Sequence, residues 1–93
     1  MTEEFRREPS NTEATVAGKI VRRLVLPDSR AEVELPVLLS DDGRLVRVHV
    51  RDDDPFAEET LSALLDRKVL VRGTWRNGVL RAARDDLQIL ESP

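Results

Sequence analysis

Hydrophobic and polar positions alternate with a period of two over most of the chain, as is typical of β-strands. Five runs rich in β-branched and aliphatic residues carry this pattern: residues 15–26, 31–39, 44–51, 68–75 and 79–83. Residues 87–90 continue the last run or form a short extra strand. The pattern therefore predicts a mainly β protein.

Glycine and proline positions refine this prediction. Gly18 lies inside the first run and indicates a bend or a close backbone approach. Pro36 cannot donate a ladder hydrogen bond, which favours an edge or a bulge at that point of the second strand. Residues 27–30 and 40–43 have turn composition, and Asn77-Gly78 between two apolar-bearing runs predicts a tight hairpin.

The hydrophobic period changes to about 3.6 between the third and fourth strands, which predicts a helix of about three turns before Lys68. Asp54 is the predicted N-cap, and Pro55 is the predicted first helical residue. The predicted apolar stripe, with Phe56 at its edge, comprises Ala57, Leu61, Leu64 and Leu65. Asp52-Asp53-Asp54 could be read as a Mg²⁺ site, but capping explains these residues better because consecutive carboxylates do not converge on one ion unaided.

The register of the hairpin decides where Trp75 points. A two-residue turn at Asn77-Gly78 places Arg76 opposite Val79, and Trp75 opposite Leu80. Because side chains alternate across a strand, Trp75 shares its face with apolar residues, and the arginines lie on the other face. We therefore predict a core tryptophan. The alternative is that the indole ring lies at the rim of a β-barrel built from these strands, or beside the arginines, where it could stack on nucleic-acid bases.

Length and composition narrow the class of protein. The chain has 93 residues and no cysteine, which excludes disulfides and thiolate chemistry. We expect a flexible, charged tail over residues 1–14 and one domain over residues 15–93. Without a stretch of about 20 apolar residues or the apolar core of a signal peptide, we expect a cytoplasmic protein with no membrane partner.

Five strands with a helix between the third and fourth resemble the OB-fold. The resemblance covers about residues 14–91 and rests on Gly18, the helix after HVRDDD, and VLVRGTWRNGVLRA leading into LQIL. It implies an all-β fold, a five-stranded closed or partly open Greek-key barrel capped by one α-helix. An SH3-like barrel is the alternative. OB-folds bind oligonucleotides or oligosaccharides on strands two and three and the loops after strands one and four. Those positions correspond here to Arg30, Arg47, His49, Arg51, Arg76 and Asn77.

Two groups of basic residues form the candidate binding surface. Arg47, His49 and Arg51 alternate along the third strand, where they would contact phosphates or pair with Glu32 and Glu34 of the second strand. The other group has no acid nearby in sequence, and forms either a recognition surface or a solvated outer face. It consists of Arg72, Arg76 and Arg81, with Asn77 at the turn.

These features favour a binding function over catalysis. His49 lacks a convincing catalytic partner, and no phosphate-binding glycine loop or nucleophile motif is present, so we expect no enzyme activity, cofactor or metal. A positive hairpin at residues 68–84 and an acidic helix at residues 52–66 suggest protein–protein interaction, with another protein or by self-association. The alternative is weak single-stranded nucleic-acid binding. The net charge of −3 and the scarcity of aromatic residues make that alternative less typical.

Overall fold

A computed structural model describes residues 5–25, 33–53 and 58–90 of the chain. Its elements, in chain order, are β1 (Glu13–Val25), β2 (Val33–Ser40), β3 (Leu45–Val50), α1 (Glu59–Ser62), β4 (Lys68–Arg76), β5 (Val79–Ala82), a 3₁₀ turn (Arg84–Asp86) and β6 (Leu87–Ile89). The predicted turn at residues 27–30, with Arg30, lies outside the described residues. So do Glu32, Asp54, Pro55, Phe56 and Ala57.

Five strands form a closed ring, which confirms the prediction of a mainly β, barrel-like fold. The strand order is β1-β2-β3-β5-β4, and pairing of β1 with β4 closes the ring. All contacts between neighbouring strands are antiparallel except that β3 and β5 are parallel. β6 adds to β4 outside the ring, as the short extra strand that the sequence allowed. No helix in the described part of the chain is long and apolar enough to cross a membrane.

The main core fills the interior of this ring. It takes inward-facing residues of β1, β3, β4 and β5, and Leu38 from β2. Val46, Val48 and Val50 point inward from β3, as their alternation predicts. Trp75 is the largest fully buried side chain and has 0% of its surface exposed. The predicted core tryptophan is thereby confirmed.

Gly18 lies where β1 changes partners. β1 pairs with β4 through Glu13–Lys19 and with β2 through Gly18–Val25, so the strand bends sharply between two neighbours. A Cβ atom on Gly18 would lie 2.1 Å from the carbonyl oxygen of Leu39. The predicted close backbone approach is confirmed, and it explains why a residue without a side chain stands there.

The β4–β5 hairpin has the predicted register. Arg76 pairs with Val79, Trp75 with Leu80, and Thr74 with Arg81. The backbone φ angles are 51° at Asn77 and 78° at Gly78, the left-handed values that a type I′ turn needs at both central residues. The residues of this turn thus determine which side chains of β4 and β5 point inward and which point outward.

The period-two pattern of β2 predicts that Glu34 points outward and Leu35 points into the core, but Leu35 lies on the outer face. Leu38 belongs to the main core, whereas Leu35 and Val37 belong to a second apolar cluster. The second cluster also includes Leu45 of β3. Both faces of β2 are therefore covered, and its run of apolar residues reflects two clusters rather than one. Pro36 lies opposite Arg22 of β1 and beyond the two pairs that β2 makes with β3, consistent with the predicted edge position.

The helix is shorter than predicted. Glu58 has a left-handed φ of 47°, so the helix begins only at Glu59 and ends at Ser62. After it, the amide of Leu64 donates to Leu61 O, the i→i+3 bond of a tighter turn. Leu61 is buried, and Leu64 and Leu65 pack against the main core, so this part of the predicted stripe is confirmed.

Residues 5–12, part of the predicted tail, run along the sheet. The Arg6 amide donates to Leu45 O at 2.8 Å, and the Trp75 amide donates to Thr12 O at 2.8 Å. Phe5 packs against the second cluster and forms a parallel bridge with Leu45. The polar composition of the segment did not predict these contacts, because most of them are made by the Phe5 side chain and by backbone hydrogen bonds. β1 itself begins at Glu13, two residues before the predicted run.

Candidate functional site: an arginine face

Four of the predicted site residues meet on the outer face of β3, β5 and β4. Arg47 pairs with Val79, and Val79 with Arg76, so these three side chains form one row. His49 pairs with Arg81 in the next row. Neighbouring strands lie about 4.8 Å apart, and residues two apart on a strand lie about 6.7 Å apart. The cationic groups are therefore close neighbours on one surface.

The remaining predicted residues flank this centre. The Arg51 amide donates to Ala82 O at 3.0 Å, which places Arg51 beyond the end of the β3–β5 pair. Arg72 lies four residues before Arg76 on the same face of β4 and borders a groove that also contains Glu13, Asp85 and Asp86. Asn77 lies at the hairpin tip, where its backbone N–H donates a hydrogen bond to Ser10 Oγ at 3.1 Å. We refer to Arg47, Arg51, Arg72, Arg76 and Arg81 together as the arginine face.

The charges of the arginine face are not neutralised within the described residues. The ion pairs of this part of the chain involve Arg6, Arg22, Lys68 and Arg84. None of the five guanidinium groups of the arginine face has a carboxylate within ion-pair distance there. Arg76 makes one long side-chain hydrogen bond, to Asn11 Oδ1 at 3.4 Å. The face therefore presents positive charge to solvent although the protein as a whole is acidic.

The alternative of cross-strand pairing with β2 is wrong for Glu34. Its carboxylate lies 3.7 Å from Arg22 of β1, which adjoins β2 on the side away from β3. The partner of His49 is instead Glu58, with 3.6 Å between Nδ1 and Oε1. Glu58 is 2% exposed and precedes α1, so the base of the helix covers His49. His49 is therefore less exposed than Arg51 and Arg81 beside it.

The outer face of β2 is apolar rather than basic. Leu35, Val37 and Leu39 line it, and Phe5 covers them together with Leu45. The resemblance implied a ligand surface centred on strands two and three. The exposed cationic surface is instead displaced toward β5 and β4, and the β2 part of the expected surface is occupied by the chain itself.

Asp53 stabilises the loop that joins β3 to α1. Its Oδ2 accepts a hydrogen bond from the Thr60 amide at 2.6 Å, and its Oδ1 accepts one from Arg84 Nη2 at 3.3 Å. Burial alone would raise the pKa of this carboxyl group, but hydrogen bonds from Thr60 and Arg84 outweigh it and lower the pKa. Asp53 thus acts as a structural anchor at the start of the helix.

Sequence reasoning missed two further features near the arginine face. Arg7 is exposed, and its side chain lies 3.7 Å from where a Cβ of Gly78 would be, so it adds a charge beside the hairpin tip. The Arg6 guanidinium lies 5.8 Å from the centre of the Trp75 ring, in cation–π range. The adjacent Arg6-Arg7 pair was visible in the sequence, but nothing local indicated that it returns to the hairpin.

Comparisons of the chain with protein-family models, curated proteins and solved structures found no match. Within residues 5–25, 33–53 and 58–90, no group of three or more His, Asp and Glu side chains is arranged to hold a metal ion.

Proposed function

We propose that the protein is a non-catalytic, OB-like binding module. Support comes from the closed order β1-β2-β3-β5-β4, the position of α1 between β3 and β4, and the glycine bend in β1. An OB-like barrel offers strands two and three, together with the loop between its last two strands, as part of its ligand surface. Here that loop is the Asn77-Gly78 turn, which lies beside Arg76.

We further propose that the arginine face binds single-stranded nucleic acid through its phosphate backbone. The observation that carries this proposal is the set of five outward arginines without an ion pair in the described chain. Guanidinium groups donate paired hydrogen bonds to phosphate oxygens and remain charged at any physiological pH. Backbone contacts of this kind position a strand but do not read its sequence.

The proposed binding is weak and independent of sequence, because the described part of this face carries no aromatic ring for base stacking. Trp75 points into the core, and Phe5 packs in the second cluster. Stacking normally contributes about 1–3 kcal/mol per base. Affinity without it depends on charge, and the acidic net charge opposes association at long range.

Fluorescence anisotropy with labelled oligo-dT and oligo-U at low salt tests this proposal. We expect both to bind with similar affinity, and the double variant Arg76→Glu with Arg81→Glu to lose binding. Arg22→Glu is a control in which one arginine outside the face is replaced. The proposal is rejected if neither oligonucleotide binds at protein concentrations up to about 100 μM, the weak end of nonspecific association.

Protein–protein interaction is a second candidate, favoured by exposed apolar residues at the other end of β4. Ile89 is 51% exposed and Leu90 is 41% exposed, next to carboxylates of the helix and the 3₁₀ turn. Light scattering after size exclusion, and capture of partners from a lysate, test this candidate. A strict monomer that retains no protein would count against it.

A further inference from the structure

A second candidate surface is the groove between α1 and β6. Ala63 and Leu64 form its helical wall, and Leu87 and Ile89 form the wall on the strand side. These side chains are aliphatic, and Ile89 is more than half exposed although it belongs to a strand. The groove is on the opposite end of β4 from Trp75 and the hairpin tip, so it is separate from the centre of the arginine face.

The strand wall of this groove has an unpaired backbone edge. β6 pairs with β4 and, within the described residues, with no other strand. The Leu90 amide donates to Lys68 O at 2.9 Å, so the backbone groups of Leu90 point toward β4. Because backbone groups alternate along a paired strand, those of Ile89 and Leu87 point away from β4. Such an edge is a template on which an extended chain can add as a further strand.

Charge at the groove selects the chemistry of the occupant. Arg84 lines the groove, but its guanidinium is paired with Asp53 at 3.3 Å. Glu59 also lines it and is exposed, with no cation within ion-pair distance among the described residues. Asp85 and Asp86 of the adjacent 3₁₀ turn are likewise exposed and unpaired there, and they lie with Gln88 and Arg72 on the opposite face of β6. The uncompensated charge around this apolar groove is therefore negative.

We propose that this groove docks an extended segment of a partner protein, which pairs with the free edge of β6. The segment carries aliphatic side chains at alternate positions and lysine or arginine between them. Its aliphatic residues contact Leu64, Leu87 and Ile89, and its cations, which point to the opposite face of the added strand, lie on the side of Asp85 and Asp86. Backbone hydrogen bonds give affinity in this mode of recognition, and alternate side chains give specificity.

Labelled short peptides test the docking site directly. The probe alternates valine with lysine, and the comparison peptides replace every lysine by glutamate or carry an N-methyl group on the backbone amide of every valine or of every lysine. We expect the valine–lysine peptide to bind more tightly than the glutamate peptide by tenfold or more. One of the two N-methylated peptides should not bind, namely the valine one if the added strand is antiparallel and the lysine one if it is parallel, because its amides can no longer donate to the β6 edge. Backbone amide shifts of Leu87, Ile89 and Glu59 should change on titration, and those of the Asn77-Gly78 turn should not.

Two variants and a matched control locate the contact. Ile89→Arg should abolish binding, and the double variant Asp85→Lys with Asp86→Lys should reverse the preference between the lysine and glutamate peptides. Leu24→Arg is the control, since Leu24 is 62% exposed on β1 and lies outside the groove. Far-ultraviolet spectra and unfolding midpoints verify that each variant folds.

Three outcomes would overturn this inference. The first is no binding of the valine–lysine peptide at its solubility limit, and the second is equal loss in the Ile89→Arg and Leu24→Arg variants. The third is a concentration-dependent dimer that Ile89→Arg dissociates, because the occupant would then be a second copy of the chain. None of these outcomes depends on oligonucleotide binding, so the two proposals fail independently.

Discussion

At the scale of single residues, Asp53 links the end of β3, the start of α1 and the 3₁₀ turn through one buried carboxyl group. We expect Asp53→Asn to lower the free energy of unfolding by about 1–3 kcal/mol at neutral pH, because a charged acceptor of two hydrogen bonds is lost. Urea unfolding followed by Trp75 fluorescence measures the change. Asp52→Asn, an exposed neighbour, should have little effect.

The pH dependence of stability gives a second test of Asp53. Its pKa is lowered in the folded state, so its contribution is complete above the unfolded value of about 3.9 and disappears as pH falls through the folded pKa. The difference in stability between wild type and Asp53→Asn should therefore shrink on acidification. A difference that stays constant down to the lowest pH at which both proteins fold would contradict the assignment.

Individual residues differ in how far the sequence could predict them. The inward orientation of Trp75 was predicted from the two-residue turn at Asn77-Gly78, which sets the pairing of the two strands, and the observed register confirms it. Asp53 stood among three consecutive aspartates with nothing local to distinguish it. Its role depends on Arg84, 31 residues away in the chain, and such a contact exists only after the barrel closes.

At the scale of elements, the bend in β1 makes a prediction about Gly18. A methyl group there meets backbone atoms of β2 rather than a flexible side chain, so Gly18→Ala should destabilise the protein by about 3 kcal/mol, the upper end for overpacking. Gly43→Ala is the control: its Cβ meets nothing within 4 Å, and the cost there is only that of a left-handed φ, about 1–2 kcal/mol. Equal losses in the two variants would mean that the close approach is absent.

The N-terminal segment makes a second prediction at this scale. The Arg6 amide should exchange slowly with solvent deuterium because it donates to Leu45 O, and Phe5→Ala should accelerate that exchange by removing the side chain that packs beside Leu45. Glu8→Ala, which removes the ion pair with Arg6 but leaves Phe5, provides the comparison. Rapid exchange at Arg6 in the wild-type protein would favour the flexible tail that composition predicts.

The sequence predicted the elements that depend on neighbouring residues, but not those that depend on contacts between residues far apart in the chain. The strands and the hairpin follow from alternation and from Asn77-Gly78. The predicted helix was longer than the observed one because the helical spacing of apolar residues continues past Ser62. In the structure, the left-handed backbone of Glu58 precedes the helix and i→i+3 hydrogen bonds follow it, so the helix has only four residues. The contact of Phe5 with Leu45 joins positions far apart in the chain, and no periodicity records it.

At the scale of the whole molecule, the candidate site depends on the parallel pairing of β3 with β5. Arg47 and Arg81 lie on strands separated by the helix and β4, and they become neighbours only through that pairing. Alternation within each strand predicted that both side chains point outward, but it did not predict that Glu34 of β2 pairs with Arg22 instead of with them. The sequence has nearly equal numbers of basic and acidic residues, and the closed ring of strands places several of the basic ones on one outer face and several of the acidic ones around a groove elsewhere.

This arrangement predicts how oligonucleotide binding responds to salt. Each phosphate contact to a single strand contributes about 0.7 to the slope of log affinity against log salt concentration. We expect Arg81→Gln to reduce the slope by about that amount, because its guanidinium is unpaired and central to the arginine face. Arg22→Gln changes the net charge equally but removes a residue already paired with Glu34, so its slope should equal that of wild type. Anisotropy titrations with oligo-dT over a series of salt concentrations provide both slopes. Equal reductions in the two variants would mean that net charge alone governs association, and the local surface would then have no role in binding.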